Sequence, residues 1–165
     1  GCEGGPTDYP RYYCPENTVT REQMAIFLLR SANGPTYVPP AASGTKFDDV
    51  PASDPFAPWI EELARQGVTG GCSTNPPLYC PDNVVTREQM AVFLLKTADP
   101  NIDPPPATGM FNDVPVSSPY ARWIEELARQ DVTGGCGGGN YCPTNPVTRG
   151  QMAVFLTAMF NLPPP

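Results

Sequence analysis

Two long stretches of this chain are nearly the same sequence. Residues 47–98 run FDDVPASDPFAPWIEELARQGVTGGC, a loop to YCP, and VTREQMAVFLLKTA; residues 111–160 run FNDVPVSSPYARWIEELARQDVTGGC, a loop to YCP, and VTRGQMAVFLTAMF. Phe47 and Phe111, Trp59 and Trp123, and Cys72 and Cys136 are each 64 positions apart. A chain that repeats a unit this closely stacks copies of one supersecondary motif, because each copy buries its apolar face against its neighbours. Residues 1–32 hold the second half of a further copy: GC, a loop to YYCP, and VTREQMAIFLLRSA. The expected organisation is a partial repeat at 1–32, a Pro-rich spacer at 33–46, a repeat at 47–98, a second spacer at 99–110, and a repeat with a Pro-rich tail at 111–165. Proline in the spacers favours extended, semi-rigid connection.

Each full copy carries two amphipathic helical patterns. In the first, Trp59, Ile60, Leu63 and Ala64 form one stripe and Glu61, Glu62, Arg65 and Gln66 lie on the other side, so Glu61-Glu62 and Glu125-Glu126 read as a solvated face. Asp54-Pro55 and Ser118-Pro119 suit the N-cap and first helical position, with Pro58 able to delay the start by a turn. Gly67 suits a left-handed C-cap, with Asp131 a less comfortable substitute. The second pattern opens on a capping box, Thr86 with Gln89, repeated as Thr20 with Gln23 and Thr148 with Gln151. Its broad apolar face, Met90, Ala91, Phe93, Leu94 and Leu95, implies burial against neighbouring copies.

The chain has 23 prolines and 15 glycines, yet 40% of its residues are hydrophobic, too many for simple disorder. Its net charge of −7 opposes binding to a nucleic acid backbone. No run of about 18 apolar residues is present, so no transmembrane segment and a soluble chain are expected, with any leader already removed. Six cysteines fall into three local pairs, Cys2 with Cys14, Cys72 with Cys80, and Cys136 with Cys142. One pair per copy reads as three short disulfides and an oxidising compartment. A metal site is disfavoured, since there is no histidine and no Cys-x-x-Cys spacing.

The ordered series of an F-x-D-V turn, a Trp-bearing helix, a G-V-T-G turn at Gly67-Val68-Thr69-Gly70, a loop to Cys-Pro, and a Thr-Arg opening the second helix resembles the S-layer homology repeat. The resemblance covers about 130 residues. It implies tandem helix-loop-helix repeats packed around a pseudo-threefold axis, first helices inward, with grooves between neighbours; together with the cysteine pairs, the expected fold is mainly α, loop-rich and disulfide-stapled. It further implies that the grooves bind secondary cell-wall polysaccharide, often carrying a pyruvate ketal. Arg21, Arg87 and Arg149 would then meet the acidic sugar, helped by Glu22, Glu88, Asp49, Asp113, Trp59 and Trp123. A guanidinium at a helix N-terminus offers a planar fork to a carboxylate in a region of positive potential.

The same residues have structural readings. Each arginine could pair with a neighbouring carboxylate, the tryptophans could be core, the aspartates could organise turns, and Met24, Met90 and Met152 could fill the core.

Two functions are therefore expected. The first is a non-catalytic extracellular protein attached to the cell envelope by a wall glycan, such as a polysaccharide or peptidoglycan-linked glycan. The second is a self-assembling subunit of a filament or surface layer, because the partial first copy would leave Val19–Ala32 without an internal partner and a second copy of the chain could supply one. Neither needs a cofactor. An enzyme is disfavoured, since no nucleophile-elbow, zincin or P-loop pattern occurs.

Overall fold

A computed structural model describes residues 13–163. Cys2 lies outside the described residues, so the expected Cys2–Cys14 pair is not among the bridges seen. Among the described residues, five helices account for nearly all the regular structure: α1 (Arg21–Asn33), α2 (Ala57–Arg65), α3 (Arg87–Ala98), α4 (Ala121–Arg129) and α5 (Arg149–Phe160). A two-residue ladder pairs β1 (Ser73–Thr74) with β2 (Pro77–Leu78) inside the Cys72–Cys80 loop. The fold is mainly α, with disulfides between Cys72 and Cys80 and between Cys136 and Cys142.

The helices that open on Thr-Arg begin where the capping residues require. Thr86 and Thr148 each accept a bond from the backbone of the glutamine three residues on, and that glutamine returns one to the threonine N–H. Thr20 accepts from Gln23 in the same way. These caps satisfy N–H groups that the first turn of any helix leaves without partners.

The shorter helices begin differently from expectation. Their N-cap residues are Phe56 and Tyr120, neither with a capping side chain. Asp54 instead folds the approach, its Oδ1 accepting the Phe56 N–H at 2.7 Å. Pro58, with no N–H to donate, fits the first turn of α2, but α4 starts at the equivalent residue with Arg122 in that place, so the proline is tolerated there and does not set the start. At the other end Gly67, at φ 74°, and Asp131, at φ 57°, take the left-handed position. Val68 N–H then reaches Leu63 O and Val132 N–H reaches Leu127 O, which closes each helix with a Schellman turn.

Packing reverses one implication of the resemblance. The central helices are α1, α3 and α5, each in contact with the other two, while α2 lies on α1 and α4 on α3. The Trp-bearing helices are therefore outside. The Thr-Arg helices have apolar residues on several sides and can be covered from several directions, whereas α2 and α4 each have one apolar stripe and can cover only one neighbour.

A closed cycle of backbone bonds joins the segments leading into the central helices. Val85 N–H donates to Val19 O, Val147 N–H to Val85 O, and Val19 N–H to Val147 O, at 3.0, 2.8 and 3.0 Å. All three valines are fully buried.

The Trp helix of one copy thus covers the Thr-Arg helix of the copy before it. Val19–Ala32 is not left without an internal partner, because α2 lies along α1 and leaves Met24, Ala25, Leu28 and Leu29 fully buried. It is α5 on which, among the described residues, no shorter helix packs in this way. Its residues suit that position. Leu29 and Leu95 are fully buried, but their counterpart on α5 is the exposed Thr157, and Val154 is 65% exposed.

The acidic pairs of α2 and α4 also depart from the solvated face that the pattern predicts. Glu62 and Glu125 are each 2% exposed. Glu125 accepts the N–H groups of Thr108, Gly109 and Met110 at 2.8, 2.8 and 2.9 Å, together with Arg129 at 3.0 Å. Glu61 accepts Ser43 N–H and Gly44 N–H at 2.7 Å. Glu62 accepts Arg65, Gln66 and the Tyr37 hydroxyl. The carboxylates clamp the Pro-rich spacers, whose backbone donors have no ladder of their own and need acceptors.

Candidate functional site: two equivalent clefts

The first residue of each central helix turns its guanidinium back into the neighbouring copy. Arg21 Nε donates to Tyr79 O at 2.8 Å, and the Tyr79 hydroxyl donates to Arg21 O at 2.8 Å. The guanidinium carbon sits 4.7 Å above the Tyr79 ring and 5.3 Å from the Phe93 ring. Arg87 repeats this with Tyr141 at 2.8 and 2.9 Å and stands 4.7 Å above its ring, with Phe155 at 5.5 Å. Arg149 does the same with Tyr13, at 2.9 Å in both bonds, and lies 5.5 Å from Phe27.

Aspartates hold the tyrosines in place. Asp49 accepts Tyr79 N–H at 2.8 Å and Cys80 N–H at 2.7 Å; Asp113 accepts Tyr141 N–H and Cys142 N–H, both at 2.7 Å. Cys80 and Cys142 have positive φ, 59° and 60°, which aims successive N–H groups at one carboxylate. Asp113, Cys136 and Cys142 lie close together, but the two sulfurs are bonded to each other and the carboxylate holds backbone donors. No thiolate is therefore offered to a metal there.

Arg21 and Arg87 are each 5% exposed, and in both Nη2 is buried with no hydrogen-bond partner. Burial lowers the Arg21 pKa from its ordinary value, against the opposing attraction of Tyr79, Asp49 and Tyr120. Burial also raises the phenols of Tyr79 and Tyr141, so both remain neutral donors. Unpaired buried donors on a cation carry a free-energy cost that an incoming acceptor would remove.

Both arginines line clefts of the same construction. The first, about 340 Å³, is formed by Arg21, the Val68–Cys72 turn and the α3 residues Gln89, Val92, Phe93 and Lys96, with Tyr120 at its edge. The second, about 370 Å³, is formed by Arg87, the Val132–Cys136 turn and the α5 residues Gln151, Val154 and Phe155. The turns come close to the hairpin behind them because of glycine. A Cβ on Gly71 would lie 2.3 Å from Leu78 O, and one on Gly135 2.3 Å from Asn140 O.

Of the residues singled out by sequence, Arg21 and Arg87 lie in the clefts. Arg149 occupies the equivalent place on α5, with Tyr13 and Phe27 around it. Asp49 and Asp113 stand behind the tyrosines as backbone acceptors. Glu22 and Glu88 are half-buried and line neither cleft; burial raises both carboxyls, with Asp82 and Asp54 adding to the effect at Glu22. Trp59 and Trp123 are outside the clefts too. Trp59 lies beneath Arg30 at 5.0 Å and edge-on to Tyr37, and Trp123 lies beneath Lys96 at 5.8 Å.

Sequence reasoning missed the tyrosines and Lys96. The Tyr-Cys-Pro triplet present in all three copies was the available signal for the tyrosines. Nothing in the pattern distinguishes Lys96 from an ordinary solvated helix residue.

No curated protein matches the chain. The second full copy supplies a family match: residues 111–153, from the Phe111 turn through the Val132–Cys136 wall to the first turn of α5, match the S-layer homology domain.

Proposed function

We propose that this chain is a non-catalytic cell-surface protein that attaches to the envelope by binding acidic cell-wall polysaccharide in the clefts between its copies. S-layer homology domains anchor surface proteins to cell-wall polymers, and residues 111–153 match that domain. The observation that carries the reading to particular residues is the pair of buried, partnerless Nη2 donors at equivalent clefts, on Arg21 and Arg87. A sugar carboxylate offers the planar acceptor that a guanidinium favours.

On this reading the copies at 1–32, 47–98 and 111–165 are S-layer homology repeats around a pseudo-threefold axis, joined by spacers at 33–46 and 99–110. The cycle of bonds through Val19, Val85 and Val147 supports that arrangement. Arg21, Arg87 and Arg149 contact the ligand. Asp49 and Asp113 position the tyrosines, Trp123 backs Lys96 at the first cleft, Trp59 backs Arg30 at the equivalent place on α1, and Glu22 and Glu88 shape the approaches. Two disulfides, and the lack of any described helix long and apolar enough to cross a membrane, fit an extracellular place at the surface.

Sedimentation of the chain with purified wall polysaccharide tests the reading. Wild type should be retained, and Arg87→Ala should be retained less while keeping its helical circular dichroism. Equal retention of the two proteins, or no retention of wild type, would count against it.

A further inference from the structure

The two clefts share a turn, an arginine, a glutamine, a valine and a phenylalanine, but they do not share their charge. We propose that the Arg21 cleft is the stronger site for an anionic saccharide, and that Lys96 is the residue that makes it so. The inference rests on the glycan-binding reading above and assigns unequal roles to its two sites.

Lys96 follows Val92 by four residues on α3, so both present themselves to the same cleft. No carboxylate is within ion-pair distance of Lys96 among the described residues, and no Asp or Glu lines the cleft. The ammonium stands 5.8 Å from the Trp123 ring centroid, a contact that steadies the side chain while leaving its N–H donors free for a ligand. Arg21 adds the buried Nη2 without a partner. Two cations thus face one cleft in a chain whose net charge is −7, with no protein anion between them. Tyr120 adds an aromatic edge, against which a sugar face can pack.

The second cleft keeps Arg87 but has no second cation. The counterpart of Lys96 on α5 is Ala158, which is exposed, and no tyrosine takes the place of Tyr120. A single guanidinium there faces a cleft of nearly the same size. The difference between the sites is therefore chiefly electrostatic, so it should weaken as salt is raised.

Titration calorimetry with purified acidic wall polysaccharide separates the possibilities, using the same polymer with its carboxyl groups reduced to alcohols as control. Lys96→Ala and Lys96→Met, the second of which keeps the stem over Trp123, should weaken the tighter site about tenfold, the worth of one hydrogen bond to a charged group. Lys96→Arg should retain wild-type affinity, and Ala158→Lys should tighten the weaker site. In a Trp59→Phe background, the remaining Trp123 fluorescence should shift on binding, and the shift should be lost with Lys96→Met. Wild-type affinity in both Lys96 variants, or no gain from Ala158→Lys, overturns the inference and leaves the glycan-binding reading standing. Failure of wild type to bind the polymer overturns both, and equal binding of the reduced polymer overturns the anionic ligand.

Discussion

Arg87 and Tyr141 hold each other by two opposed hydrogen bonds: the guanidinium Nε donates to the tyrosine carbonyl at 2.8 Å, and the phenol donates to the arginine carbonyl at 2.9 Å. The pair joins two copies of the sequence and brings Arg87 to a cleft in the same step. Tyr141→Phe keeps the ring beneath the guanidinium but leaves the Arg87 carbonyl without this donor. It should lower stability by about 1 to 2 kcal/mol, read as a lower midpoint in urea at unchanged slope. An unchanged midpoint would show that the second bond contributes nothing.

Acid should loosen the spacers. Burial alone would raise the Glu125 carboxyl, but the N–H donors of Met110, Thr108 and Gly109 outweigh it and hold the pKa below the ordinary 4.5. Glu62 is lowered by Arg65 first and by Gln66 and Tyr37 as well. A depressed carboxyl contributes its full stability above the unfolded pKa and loses it as pH falls through the folded one. Stability should therefore decline as pH drops below 4.5. Glu125→Gln should cost about 1.5 to 3 kcal/mol at neutral pH and flatten the acid limb of the stability curve. An acid limb unchanged in this variant would remove Glu125 as its cause.

Two glycines should respond differently to alanine. Gly67 is left-handed but has open space around its would-be Cβ, so Gly67→Ala should cost about 1 to 2 kcal/mol, the conformational penalty alone. Gly71 adds a clash with the Leu78 carbonyl and the Phe47 ring to a φ of 92°. Gly71→Ala should cost more than Gly67→Ala in thermal denaturation, and equal losses would exclude steric closeness as the reason for glycine.

The Thr86 cap is local and should behave as one. Thr86→Ala should destabilise by about 1 kcal/mol, while Thr86→Ser restores most of the loss. Equal stability of all three proteins by chemical denaturation would show the long bond to Gln89 N–H, 3.5 Å, to be without consequence.

The Cys72–Cys80 bridge closes a short loop at the end of the Val68–Cys72 turn that walls the first cleft. Replacing both cysteines by serine should lower stability by about 2 to 3 kcal/mol through the loop-closure entropy regained by the unfolded chain. A smaller loss would mean that the hairpin itself already restrains the loop.

What could be read from the chain alone was whatever depends on residues near one another in sequence. The threonine caps, the left-handed positions at Gly67 and Asp131, and the two described cysteine pairs all follow from local bonding and short loops. Periodicity also marked which helix faces are apolar. It could not say what covers them, because near-identical copies present near-identical faces, and a Trp helix could lie on its own copy or on the one before. Tertiary packing chose the copy before, placing α2 over α1 and leaving the outer side of α5 to Thr157 and Val154. That same choice buried Glu62 and Glu125, whose expected place was in water: the spacer N–H groups brought against α4 needed the Glu125 carboxylate as acceptor, and Tyr37 of the other spacer donates its hydroxyl to Glu62. It also carried Arg21 and Arg87 across to tyrosines more than 50 residues away, an arrangement set by how the copies close on one another and by no local pattern.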